Sequence, residues 1–330
     1  MTNINRCFGL AVFGLLSSSL GAYAQEVTLK AAGAFPEPFY FMTPFFDFVD
    51  EVNEEGKGLV QIQYVGGPES IPTDQQPLAL RNGVIDVLYS STAYYTGIVP
   101  EALLLQASNI TPVQARESGA LDDLDEVYRE RLNATFLAHF GGGANFHIYL
   151  KNEPTLTEAG LPDLAGLKIR SAPNYTKFLE KLGATPVTIP PAEVNTALER
   201  GVVDGIGYPA VAFTQNGFQN YVGYRIDPGF QQLDLVLNMN VDVFNRLSDE
   251  QRDFLVEKAR DWEEKVFEIN SQQAASEKAE MESAGMQFFV LDDAASTEYL
   301  DIASSTILES VKERAPDLAD ELFSKLTTAD

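Results

Sequence analysis

Residues 164–209 constrain the fold of this chain more than any other stretch, because they alternate short strand and helix patterns. Residues 167–170 alternate apolar and polar side chains, as a half-buried strand does. The stretch then predicts, in order, a helix at 175–182, a strand at 186–189, a helix at 192–201, and a third strand entered through 202–205. This alternation is typical of an α/β unit built on a mostly parallel sheet.

Arg170 closes the first of these strands, so a rigid element holds its guanidinium. A guanidinium presents parallel N–H donors that match the two oxygens of a carboxylate. Residues 171–174, Ser-Ala-Pro-Asn, break the strand directly after it. We therefore expect Arg170 to anchor a carboxylate at the end of the sheet. The alternative is an arginine on the surface of a strand.

The charge balance limits the classes of partner. The 330 residues include 48 acidic and 23 basic side chains, which gives a formal net charge of −25. A phosphate backbone needs clustered Lys and Arg, so nucleic-acid binding is not expected. An anionic ligand would be bound against the overall field of the protein, so its site needs local positive groups.

Residues 1–24 have the pattern of a cleaved signal peptide. Arg6 precedes a short apolar run at 8–20, and Ala22-Tyr23-Ala24 fits the small-residue cleavage pattern before Gln25. The alternative is a membrane anchor, but the run is short and contains three serines. Since Cys7 is the one cysteine of the chain, we expect the mature protein to have no disulfide and no cysteine-based metal site.

The sequence holds little that indicates catalysis. It has no GxSxG or HExxH motif, and its two histidines, His139 and His147, have no Asp or Glu cluster at metal-ligand spacing. Gly141-Gly142-Gly143 is not followed by GK[ST], so the three glycines favour a turn or a hinge over a phosphate loop. We therefore expect no cofactor, no metal and no enzyme activity. A periplasmic hydrolase or lyase is the weaker alternative.

Three motifs together resemble one family. They are GLKIR at 166–170, LGATP at 182–186 and PAEVNTALERGVVDG at 191–205. In combination they resemble the substrate-binding proteins of tripartite ATP-independent periplasmic (TRAP) transporters, of the DctP type. The resemblance implies a two-lobed α/β periplasmic-binding-protein fold, in which each lobe is a mixed sheet flanked by helices and a long helix spans both lobes. It further implies a first lobe of residues 25–147 with about 235–268, and a second of 148–234 with about 269–330.

The same resemblance implies a function in the periplasm. The protein would capture an organic acid between its lobes and deliver it to the TRAP membrane permease, whose ion gradient would drive uptake. A ligand-binding sensor for a signalling receptor is an open alternative, because closure of two lobes can serve either partner.

The resemblance also implies a set of ligand-binding residues around Arg170. Many family members have a second arginine where this chain has His147, and an asparagine where it has Tyr208. His147 could equally be a structural strand residue, and we expect Gly207 to open space beside Tyr208. The remaining candidates come from sheet-end loops, a returning strand predicted at 231–241 and the first helix of the central unit: Phe39, Tyr40, Ser91, Tyr94, Tyr175 and Asn240.

One arginine among many aromatic rings favours a particular ligand class. Two arginines would suit a dicarboxylate, whereas one arginine in an aromatic box suits a monocarboxylate with an aromatic or bulky body. A small hydroxy or keto acid is the next expectation, since most of these rings could instead pack within their own lobes.

Overall fold

The computed structural model describes residues 25–327. The signal peptide predicted at residues 1–24 lies outside this range. Three sheets form within it, and two of them are large. We number strands and helices in chain order.

The first large sheet has five strands and carries the amino-terminal part of the chain. Strand β1 is parallel to both of its neighbours, β2 and β3. Strand β12 returns between β3 and β4 and is antiparallel to both. The spatial order is β2 (Val60–Gly66), β1 (Val27–Gly33), β3 (Val87–Ser90), β12 (Val236–Asn240) and β4 (Ala134–His139).

The second large sheet has six strands and contains the predicted α/β unit. Strands β10, β8 and β9 are mutually parallel, which confirms the prediction for residues 164–209. The order is β13 (Gln287–Val290), β11 (Tyr224–Gln232), β5 (Asn145–Leu150), β10 (Gly205–Pro209), β8 (Lys168–Ser171) and β9 (Thr185–Thr188). A small hairpin pairs β6 (Thr155–Leu156) with β7 (Pro162–Asp163).

Helices flank both sheets, and their apolar faces form the cores beneath them. They are α1 (Thr43–Glu55), α2 (Gln76–Arg81), α3 (Pro112–Glu117), α4 (Ala120–Leu132), α5 (Thr176–Lys181), α6 (Val194–Glu199), α7 (Val241–Arg246), α8 (Asp249–Ser283), α9 (Asp293–Lys312) and α10 (Pro316–Leu326). Within residues 25–327, no helix is long and apolar enough to cross a membrane.

The long helix α8 joins the two lobes. It begins at a capping box in which Ser248 and Gln251 bond each other's backbone N–H, and a serine followed three residues later by a glutamine is the sequence signature of such a cap. In its first half, Glu263 accepts hydrogen bonds from the Arg116 guanidinium and from the backbone N–H of His139, both in the first lobe. In its second half, Glu277 accepts three backbone N–H bonds from residues 212–214 of the second lobe. One rigid element therefore holds both lobes.

Two details differ from the sequence prediction. Residues 307–326 pack with the core of the first lobe, against helix α4 and the 3-10 helix Pro100–Ala107, although the prediction gave them to the second lobe. The single strand predicted at 231–241 is divided into β11 and β12. The chain leaves the sheet between them because the side chain of Asp234 turns to bind residues 91 and 92.

Candidate functional site

Arg170 lies at the carboxyl end of β8, 3% exposed, where the two lobes face each other. Its Nε donates to the carbonyl of Ile189 at 2.9 Å. Its Nη1 donates to the Gly207 carbonyl at 3.0 Å and to the Tyr175 hydroxyl at 2.7 Å. Within residues 25–327, no group accepts a hydrogen bond from Nη2. The guanidinium is therefore fixed on one side and keeps one amino group for a ligand.

Tyr175 and Gly207 form the mount that holds Arg170. The Tyr175 hydroxyl accepts from Arg170 and donates to the Gly207 carbonyl at 2.7 Å. A Cβ on residue 207 would lie 2.5 Å from the Tyr175 ring. The expectation that Gly207 opens space for a ligand is thus wrong, because the Tyr175 ring fills that space. Tyr175 itself is fully buried and supports the arginine from behind.

An interlobe cleft opens in front of Arg170. Its wider part has a volume of about 390 Å³ and runs between the loop after β1 and the loop after β9. Its narrower part, about 50 Å³, reaches toward Tyr208 and Asp234. Both parts share the residues Phe35, Tyr94, Arg170, Ala172 and Pro191. Of the described residues lining the cleft, Arg170 is the one basic side chain.

The walls of the wider part are mainly apolar and stiff. Phe35, Phe39 and the ring of Tyr94 come from the first lobe, and Ile189 comes from the second. Five prolines complete the wall: Pro36, Pro68, Pro173, Pro190 and Pro191. Proline fixes its own φ angle, so these loops lose little conformational entropy when they close on a ligand. Burial raises the pKa of Tyr94 to about 12, which keeps its hydroxyl neutral.

Tyr208 stands beside the arginine in the narrow part. The Arg170 Cζ lies 5.7 Å from the centroid of its ring, within the range of a cation–π contact. The same ring makes an edge contact with Phe218, and the centroid of the Phe41 ring of the first lobe lies 6.4 Å away. Burial raises the pKa of Tyr208 above its ordinary value. Its ring therefore backs the anchor.

A chain of hydrogen bonds crosses the cleft at its narrow end. Asn174 of the second lobe donates to the Gln106 side-chain carbonyl of the first at 2.6 Å. The Gln106 amide donates in turn to Asp234 at 2.7 Å. Asp234 also accepts from the Ser91 hydroxyl at 3.0 Å and from both polar groups of Thr92. Burial raises the pKa of Asp234 to about 6, although these donors oppose the shift.

The remaining candidates do not meet at the arginine. His147 projects from the other face of strand β5, where its Nδ1 lies 2.8 Å from Asp227. Asn240 is buried, caps helix α7 and donates to the Leu80 carbonyl. Tyr40 packs in the core of the first lobe and lines neither part of the cleft. The cleft thus unites Arg170, Tyr208, Tyr94, Ser91 and Phe39, with Tyr175 behind them.

Sequence reasoning missed several cleft residues. Pro190 and Pro191 follow β9 at the same sheet edge as Arg170, so their position after a parallel strand could have identified them. Asn174 follows β8 in the same way. Gln106 and Asp234 carry no such signal, because one lies in a 3-10 helix and the other in a stretch that reads as one continuous strand.

Comparison with known families decides the identity of this fold. Residues 42–313 match the model of the bacterial extracellular solute-binding proteins, family 7, known as DctP. The chain belongs to this family. The chain is therefore a solute-binding protein of the DctP type, which we call the receptor from here on.

Individual relatives agree over almost the whole length of this solute receptor. A solute-binding protein of Roseobacter denitrificans is 23% identical and covers 98% of the chain and 99% of its own length. A TRAP periplasmic solute-binding protein of Desulfovibrio desulfuricans, with bound sn-glycerol-3-phosphate, superposes with a TM-score of 0.78 at 20% identity, over 92% of this chain and 99% of its own. A Bordetella pertussis extracytoplasmic solute receptor binding pyroglutamic acid superposes with a TM-score of 0.77 at 16% identity. The match covers 91% of this chain and 99% of that receptor. At these identities the solved structures establish the two-lobed fold alone, which confirms the fold predicted from the sequence.

The described part of the receptor offers no metal centre. Within residues 25–327, no group of three or more His, Cys, Asp or Glu side chains could hold a metal ion.

Proposed function

We propose that this receptor binds an organic monocarboxylate with an apolar or aromatic body in the interlobe cleft. The observation that carries the proposal is the free Nη2 of Arg170 at the end of an apolar cleft of about 390 Å³. A charge-assisted hydrogen bond from a buried guanidinium holds one carboxylate strongly. The rest of the ligand then lies along rings and prolines, which favour apolar surface.

The way Arg170 is held refines the expected contact. Three of its five N–H groups serve Ile189, Tyr175 and Gly207, so the ligand receives the two hydrogens of Nη2. This contact suits one carboxylate. The position of His147 outside the cleft lining further disfavours a dicarboxylate, which would need a second cation.

The relatives support an anionic ligand and leave its body open. Pyroglutamic acid and sn-glycerol-3-phosphate, the ligands of the two receptors compared above, are both anions. By analogy the receptor would be exported through cleavage after residue 24, act in the periplasm, and present its closed form to the TRAP membrane permease. A small hydroxy or keto acid remains the second candidate ligand, because the hydroxyls of Tyr94 and Ser91 lie in the same cleft.

The proposal is tested by identifying what the receptor holds and then by paired titrations. Denaturing the purified receptor should release an organic acid, which mass spectrometry then identifies. Calorimetry should then give tighter binding for benzoate-type than for lactate-type acids, since apolar burial adds roughly 25 cal/mol per Å². Succinate serves as the dicarboxylate control. Tighter binding of lactate or succinate than of any aromatic acid would overturn the preference.

A further inference from the structure

A second cavity lies on the opposite face of strand β5 from the cleft. Successive side chains of a strand point to opposite faces, so Phe146 lines the cleft and His147 lines this second cavity. Its volume is about 480 Å³. Three parts of the chain build its walls: residues 109–114 of the first lobe, strands β5 and β11 of the second, and residues 267–278 of α8. We call it the hinge cavity.

The hinge cavity has an unusual charge for this protein. None of the described residues that line it is Asp or Glu, although acidic residues outnumber basic ones 48 to 23 in the chain. Its lining includes Arg225, Lys278 and His147. An anion that avoids most of this protein's surface would therefore meet a locally favourable wall here.

The two permanent cations of the lining, Arg225 and Lys278, both lie over one aromatic ring. The Arg225 Cζ lies 4.8 Å from the centroid of the Phe288 ring, and the Lys278 Nζ lies 5.1 Å from it. Asp227 is the carboxylate paired with Arg225, which binds both of its oxygens at 2.7 and 3.1 Å. Lys278 adds a second permanent cation to a lining that has no Asp or Glu among its described residues, so the wall keeps a positive excess.

His147 contributes a neutral polar group beside them. Its Nδ1 is engaged by Asp227 at 2.8 Å and by the Ile226 carbonyl at 3.1 Å. Burial lowers the pKa of His147, and the Arg225 charge acts in the same direction. Burial would raise the pKa of Asp227, but hydrogen bonds from His147 and Arg225 hold it far below its ordinary value. Asn145, Ser271 and Thr111 supply further polar side chains around the opening.

We propose that the hinge cavity is a second binding site of this receptor, for a small polar carboxylate that is held by Lys278 and Arg225. The polar lining distinguishes its ligand from that of the apolar cleft. Since its walls come from both lobes and from α8, the occupant touches both lobes at once. A ligand that contacts them better in one lobe arrangement shifts the equilibrium toward it, and the cleft ligand must respond by the same factor.

The two histidines of the chain make a direct test possible. In protein labelled at histidine, NMR gives signals from His139 and His147 alone. His147 lines the hinge cavity, whereas His139 is buried elsewhere and burial lowers its pKa to about 4. Citrate, added at constant pH and ionic strength, should shift the His147 signals in a saturable way and leave His139 unchanged. Linear shifts, or equal shifts at both histidines, would overturn the proposal.

Matched variants assign the effect to the cavity wall. Lys278→Met should weaken citrate binding at least tenfold, whereas Lys57→Met removes the same charge from an exposed turn and should leave it unchanged. If both substitutions weakened citrate binding equally, the effect would depend on net charge alone, and the proposed site would be refuted. Arg170→Ala should not alter the citrate titration, so this result separates the hinge cavity from the cleft. Loss of citrate binding in Arg170→Ala would mean that citrate occupies the cleft.

Discussion

The cleft and the hinge cavity lie back to back across strand β5, yet they offer opposite chemistry. The cleft has one cation, Arg170, fixed by three hydrogen bonds within walls of rings and prolines. The hinge cavity has two cations on one ring and a lining that is about half polar. Neighbouring residues of β5 point to opposite faces of the sheet, so a shift of one position decides whether a side chain lines the cleft or the hinge cavity. The difference shows that a family motif locates a strand, while the register of that strand decides the role of each residue.

The largest expected effect separates the two regions by their cations. Arg170→Ala should weaken binding of the cleft ligand at least about thirtyfold, because losing one partner of a buried charge pair costs on the order of 2–5 kcal/mol. Arg170→Lys should also bind poorly, since a single ammonium cannot keep the contacts to Ile189, Tyr175 and Gly207. The control variant Lys278→Met should bind the same ligand with near-native affinity in calorimetry. Near-native affinity in Arg170→Ala would refute the anchor.

The stabilising contributions of Asp234 and Asp227 should respond to pH with opposite signs. The pKa of Asp234 is raised from 3.8 to about 6 in the folded state, so its contribution to stability is present below about pH 4 and is lost as pH rises through 6. The pKa of Asp227 is lowered, so its contribution is present above about pH 4 and is lost as pH falls below that value.

Urea denaturation between pH 3 and pH 7 measures this contrast. Relative to wild type, the free energy of unfolding of Asp234→Asn should improve by up to roughly 3 kcal/mol as pH rises from 4 to 6. Relative to wild type, the free energy of unfolding of Asp227→Asn should fall as pH rises from 3 to 5. Parallel pH profiles for the two variants would contradict the assignment of these shifts.

A third expected effect concerns the mount of Arg170. Gly207→Ala places a Cβ 2.5 Å from the Tyr175 ring, and overpacking of this kind costs typically 1–3 kcal/mol. The displaced Tyr175 hydroxyl would release Arg170, so affinity for the cleft ligand should fall about tenfold. Gly97→Ala is the matched control, since no atom within 4 Å would meet its Cβ. Equal affinities of the two variants would show that the mount does not position the arginine.

The smallest expected effect lies at the narrow end of the cleft. Asn174→Ala removes the hydrogen bond to Gln106 that links the lobes, which costs about 1 kcal/mol. Stopped-flow measurements should show faster ligand dissociation with little change in association, because the bond forms after the lobes meet. Asn195→Ala removes a bond within the second lobe and should change neither rate. A purely slower association in Asn174→Ala would argue against an interlobe role.

The sequence predicted the fold well because local patterns agree with it. The parallel unit at 164–209, the capping box of α8 and the position of Arg170 all follow from nearby residues. The site was harder, since it depends on which face a side chain takes and on contacts between distant segments. His147 lies outside the cleft lining by one position of strand register. Asp234 interrupts a predicted strand through bonds to residues that lie 142 and 143 positions away in the chain. Neither relation is written in the neighbouring sequence.

Helix α8 is clamped at two points, Glu263 to the first lobe and Glu277 to the second, about 21 Å apart along its axis at 1.5 Å per residue. Closure of the lobes on a ligand, as proposed above, would require the span between Glu263 and Glu277 to bend, and the elastic energy of that bending would oppose the motion. The hinge cavity lies against this span through Phe267, Ser271 and Ala274. Distances between spin labels on either side of the span, with and without cleft ligand, should report the flexing. A stiffer span would hold the lobes in one arrangement, so substitutions in the middle of α8 could tune lobe motion without touching the ligand in the cleft.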